Sequence, residues 1–158
     1  MHADMETQRK MHVVRADPES PLRVSPDGPP SSRVRACTAV PPTVLIVDDH
    51  AEFRSVARRL LEGGAFRVVG EAADGSSGRE AVRLLRPDVV LLDIQLPDVD
   101  GCELCRTLAA EPDAPHIVLI SSRDAADYGS RVMSCGALGF VAKGDLSVAA
   151  LHAMLDRR

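Results

Sequence analysis

With 158 residues and 45% hydrophobic side chains the chain can build one domain core, and with one Tyr, three Phe and no Trp that core must be aliphatic. A formal net charge of -4 and a pI near 5.7 argue against the clustered basic excess of a nucleic-acid footprint. No apolar run approaches the ~20 residues that a membrane span needs, and the N-terminal MHADMETQRKMHVV has no apolar signal-peptide core, so the expected location is the cytoplasm.

Residues 1–42 hold seven of the eleven prolines and show no sustained periodicity. They are expected to form a disordered tail. Six Lys/Arg against five Asp/Glu give this tail no basic character, so no DNA-binding arm is expected.

From Thr43 onward apolar runs alternate with amphipathic ones. Residues 43–48 (TVLIVD) predict a buried strand. Phe53, Val56, Ala57, Leu60 and Leu61 then recur at helical spacing, predicting one apolar face, and Gly63-Gly64 ends that helix. Residues 66–72 predict a second strand. Residues 76–86 predict a helix stopped before Pro87. A third strand is predicted over 88–93 (DVVLLD), followed by a helix with Gly101, Leu104, Cys105 and Leu108 on its inner face. Residues 116–121 (HIVLIS) predict strand four, 124–135 one helix containing Gly129, 137–142 strand five, and 146–157 the last helix. Such a repeat implies a doubly wound parallel sheet covered on both faces. Ligands of such sheets bind at the carboxyl ends of the strands.

Those ends carry a distinctive set: Asp48-Asp49, Asp93, Ser121-Ser122 and Lys143. Three crowded carboxylates repel one another, and a hard cation with oxygen ligands relieves this, which favours Mg²⁺. Asp93 is then placed to act as a nucleophile on a phosphoryl donor. The cation, Lys143 and the Ser121 hydroxyl would stabilise charge on the transferring oxygens. Residues 43–158 contain twelve Arg and a single Lys, and that Lys falls at 143, where a compact point charge suits phosphate and carboxylate. Alone, Asp49 could be a helix cap and Asp93 a loop cap; co-location at four strand ends is what makes the set specific. Cys102 and Cys105 form a C-x-x-C inside a helical pattern without a second ligand pair, so they are expected to be core side chains and not a zinc or redox site.

VLIVDDH at 44–50, DVVLLDIQLPDVDG at 88–101, VLISS at 118–122 and ALGFVAKG at 137–144 resemble the receiver domain of two-component response regulators, on its NarL/FixJ branch. The resemblance covers 43–158. It implies a (βα)₅ flavodoxin-like α/β fold with strand order 2-1-3-4-5, and a phosphoryl group accepted by Asp93 from a histidine kinase, a phosphotransfer protein or a small phosphodonor. It further implies Mg²⁺ held by Asp49 and Asp93 directly, by Asp48 through water and by the carbonyl of Gln95. Ser121 and Lys143 would contact the phosphoryl group, and Phe140 would be the aromatic that turns inward as Ser121 moves. Gly144 stands where the family usually has Pro, so a cis peptide after Lys143 is not expected.

The sequence ends with the last predicted helix, so output is expected through protein contacts and not through direct DNA binding. LSVAALHAMLDRR is apolar nearly all round: Ala150, Leu151 and Met154 would face the sheet, and Val148 and Leu155 a flank. A partner or homodimer face on helix four, strand five and helix five is the expectation. Two other classes compete with the switch. One is a receiver-like interaction module that works without phosphorylation. The other is a metal-dependent phosphatase, disfavoured because Gln95 stands where such enzymes need a second acid. Self-catalysed phosphorylation and slow dephosphorylation are expected without the chain being an enzyme.

Overall fold

The computed structural model describes residues 11–12 and 40–157. Five parallel strands form the sheet: β1 Thr43–Val47, β2 Arg67–Ala72, β3 Val89–Asp93, β4 His116–Ser121 and β5 Gly139–Ala142. Their spatial order is β2-β1-β3-β4-β5, as expected. A two-residue strand, Met11–His12, pairs antiparallel with the outer edge of β2. The other residues of the expected tail, apart from 40–42, lie outside the described residues, as does Cys37.

The strands are apolar on both sides because both sides are covered. Side chains alternate across the sheet. Leu45, Val47, Val90 and Leu92 pack on one face with α2 (Gly75–Leu85), α3 (Gly101–Ala109) and α4 (Ser130–Ser134). Val44, Ile46, Val89 and Leu91 pack on the other with α1 (Ala51–Glu62) and α5 (Val148–Leu155).

Three expectations about helices need correction. On α1 the core-facing stripe is the buried Ala57 and Leu61 with the partly buried Phe53, four residues apart, whereas Val56 and Leu60 are 63% and 37% exposed on the flank. The helix expected over 124–135 is broken. A 3₁₀ turn at Ala125–Asp127 is followed by Gly129 at φ 58°, ψ -141°, a conformation open to glycine, and only five residues of α4 follow. On α5, Val148 and Leu155 do not form an open flank: both pack against the α1-side core with Met154 and the fully buried Leu151. The large apolar side chains of α5 are therefore at least partly covered within the molecule, which weakens that argument for a partner face. No helix among the described residues is long and apolar enough to cross a membrane.

Candidate functional site

Asp48 follows β1, β3 ends in Asp93, β4 ends in Ser121, and Lys143 follows β5, so parallel strands in register carry these groups to one edge. Asp48, Asp93 and Ser121 are buried; Asp49 is partly exposed. The Lys143 side chain, 11% exposed, reaches across the strand ends. Its Nζ stands 2.6 Å from Asp48 Oδ2 and donates to Asp93 Oδ2 at 3.0 Å. The Phe53 ring lies 4.8 Å from the ammonium, on the α1 side. Asp48, Asp49, His50 and Asp93 each offer a ligand atom within 4.8 Å of the others.

Local chemistry holds the Asp93 loop. The Gln95 N–H donates to Asp93 Oδ1 at 3.1 Å, Ile94 N–H to the Ile120 carbonyl at 3.0 Å, and Gly101 N–H to the Ile94 carbonyl at 2.8 Å. Asp98 accepts from the Gly75 and Ser76 N–H groups, tying the loop to the start of α2. Asp100 caps α3 by accepting from the Cys102 and Glu103 N–H groups, and its other oxygen takes Arg131 of α4 at 2.6 Å. The Asp48–His50 turn is fixed by Arg54, which donates to the Asp48 carbonyl at 2.6 Å and is held by Glu71. His50, not Asp49, occupies the N-cap position of α1.

Burial, with the Asp48 charge adding to it, pushes the Asp93 carboxyl above its ordinary range against the Gln95 N–H and Lys143. Burial alone would lower the Lys143 ammonium, but the Asp48 and Asp93 carboxylates outweigh it and hold it above its ordinary value. The donor set fits a hard divalent cation. Asp48 Oδ2 is buried and accepts no aligned hydrogen bond, its contact with Lys143 being an ion pair off that geometry. The carboxylates converge with more negative charge than one ammonium cancels. Such an acidic cluster of Asp48, Asp49 and Asp93 is typical of the metal sites of receiver domains.

Of the residues expected at the site, Asp48, Asp49, Asp93 and Lys143 come together, Gln95 flanks them through its backbone, and Ser121 stands at the adjoining strand end. Phe140 is half-buried in β5. Tyr128 was missed by sequence reasoning: its hydroxyl hydrogen-bonds Ser121 Oγ at 2.5 Å, and its ring lies 6.2 Å from that of Phe140. A lone Tyr inside what looks like a helix gave no signal. His50 was missed as well, though its place beside two aspartates was visible; its Nδ1 lies 3.1 Å from Asp48 Oδ1 and 2.9 Å from Asp49 Oδ1. Cys102 and Cys105 are buried in the α3 core, as expected. Burial, with Cys135 nearby, pushes the Cys102 thiol up to about 11, which makes it a poor nucleophile.

The chain spans about half or less of the length of several curated relatives it matches. It is 34% identical over 114 residues to "Probable transcriptional regulatory protein NarL" of Mycobacterium tuberculosis, covering 72% of this chain and 53% of that protein. It is 43% identical over 111 residues to a protein-glutamate methylesterase/protein-glutamine glutaminase of Symbiobacterium thermophilum, covering 68% of this chain and 30% of the other. Among solved structures, the signal receiver domain of M. tuberculosis NarL superposes with a TM-score of 0.66 at 31% identity, over 73% of this chain and 98% of that one. The family model for the response regulator receiver domain matches residues 44–156. With the strand order, the acidic cluster and the bridging lysine in place, the chain belongs to the response regulator receiver domain family of two-component signalling, on its NarL branch.

Proposed function

We propose that the chain is a phosphoryl-accepting switch and that Asp93 is its acceptor. The observation that carries this reading is Lys143 Nζ, buried between Asp48 and Asp93 at the ends of the strands. A carboxylate oxygen of Asp93 attacks the phosphorus of a phosphohistidine, or of a small phosphodonor. The P–N or P–O bond breaks, and its electron pair leaves with the donor. Asp48, Asp49, Asp93 and the Gln95 carbonyl would hold Mg²⁺, which supplies charge neutralisation for the transferring oxygens. Lys143 adds a fixed positive charge there, and Ser121 a hydroxyl donor. Phe140 follows Ser121 as it moves.

The donor is a sensor histidine kinase or a phosphotransfer protein, and the reaction belongs in the cytoplasm. Output passes through protein contacts on the face of α4, β5 and α5, to a downstream protein or a second copy. Met133 of α4, 86% exposed, is the large apolar side chain open on that face. The chain undergoes self-catalysed phosphorylation and slow dephosphorylation but acts as a switch, not as an enzyme on other substrates.

Intact mass after incubation with a small phosphodonor tests the reading. The wild type should gain one phosphoryl adduct with Mg²⁺ and none with a chelator, and Asp93→Asn should gain none while remaining folded. A folded wild type without an adduct would sink the proposal and favour a module that binds its partner unmodified.

A further inference from the structure

Ser121 is the last residue of β4 and is fully buried. Its hydroxyl has one proton and two acceptor positions. One acceptor position takes the Arg123 N–H at 3.1 Å, and Tyr128 Oη shares a 2.5 Å hydrogen bond with the same oxygen. Resting Ser121 is therefore bound on the side of the β4–α4 connection. Tyr128 closes the 3₁₀ turn Ala125–Asp127, and the next residue is Gly129, whose positive φ separates that turn from α4. The Tyr128 ring also lies against Phe140 of β5.

We propose that Tyr128 is a positioning residue: its hydroxyl holds Ser121 in the resting state, and a phosphoryl group on Asp93 must take Ser121 from it. The inference rests on the phosphoryl-switch reading above. Once Ser121 turns to the phosphoryl oxygens, Tyr128 loses its partner. Its displacement is then passed to α4 through Gly129 and to β5 through the ring contact with Phe140. One contact thus links chemistry at the strand ends to both elements of the proposed output face: Ser121 has a single proton, and giving it to Tyr128 and giving it to a phosphoryl oxygen are mutually exclusive.

The chain offers a direct reporter, because Tyr128 is its one tyrosine and it has no tryptophan. Tyrosine emission of the full chain should change when wild type binds beryllofluoride with Mg²⁺. Ser121→Ala should shift emission in the same direction with no ligand added. Tyr128→Phe removes the hydroxyl and keeps the ring against Phe140. Losing one neutral hydrogen bond from the resting state should lower the half-saturating beryllofluoride concentration roughly fivefold, read by fluorine NMR. Unchanged emission in Ser121→Ala, or unchanged or weaker beryllofluoride binding in Tyr128→Phe, overturns the role of Tyr128 alone. A wild type that binds neither beryllofluoride nor a phosphoryl group overturns the phosphoryl-switch reading together with it.

Discussion

Lys143 shows how much one side chain decides at this site. Its ammonium faces two buried carboxylates, and removing one partner of a buried pair leaves the others uncompensated. Asp88, at the opposite end of the sheet, is a simpler electrostatic case. Its Oδ2 accepts from the Thr43 N–H and hydroxyl, both at 2.8 Å, joining the starts of β1 and β3. The Thr43 N–H, then its hydroxyl, hold the Asp88 carboxyl below its ordinary range. A lowered folded-state value means that the unfolded chain binds the proton more readily. The stabilisation is therefore complete above the unfolded pKa, about 3.9, and is lost as pH falls through the lower folded value. Asp88→Asn should be less stable than wild type at neutral pH by less than about 1 kcal/mol, since the group is largely solvated. The difference should vanish in the acid limb, and urea unfolding at a series of pH values measures it.

Among the elements, the start of α3 carries the sharpest constraint. A Cβ on Gly101 would stand 2.2 Å from the Asp93 carbonyl oxygen and 2.6 Å from the Ile94 Cα. Both are backbone atoms that cannot rotate away, so the helix approaches the Asp93 loop as closely as it does only because residue 101 has no side chain. Gly101→Ala should cost about 3 kcal/mol in denaturant unfolding, from overpacking against backbone, and should reduce the yield of phosphoryl adduct by displacing Asp93. The sequence placed Gly101 on the inner face of the helix, but the backbone it touches, eight residues earlier, could not be inferred from periodicity. The break in the helix expected over 124–135 had a visible sign in Gly129. Its consequence, a 3₁₀ turn that brings Tyr128 onto Ser121, depends on where β5 and Phe140 lie.

For the molecule as a whole, the carboxylate cluster is a local liability that a bound cation relieves. If Asp48, Asp49 and Asp93 hold Mg²⁺ only when the sheet is assembled, the ion stabilises the native state by mass action. At a Mg²⁺ concentration tenfold above its dissociation constant the gain is about 1.4 kcal/mol. The denaturation midpoint of wild type should rise accordingly between chelator and Mg²⁺. Asp49→Asn, altering the most exposed of the three carboxylates, should fold normally and show a smaller rise. An equal rise in the variant would place the ion elsewhere.

The alternation of apolar strands with amphipathic helices was enough to determine the (βα)₅ sheet, its strand order through the family resemblance, and the acidic, hydroxyl and cationic groups at the strand ends. These features are legible because burial on both faces imposes continuous Val, Leu and Ile runs, and because parallel strands all deliver their last residues to the same edge. Tertiary structure decided the rest. It chose which apolar residues of α1 stay exposed and turned Val148 and Leu155 of α5 inward. It also set Tyr128 against Ser121 and Arg131 of α4 against Asp100 of α3. Each of these depends on distances between segments far apart in the chain or on the path of an irregular turn, and hydrophobic periodicity carries neither.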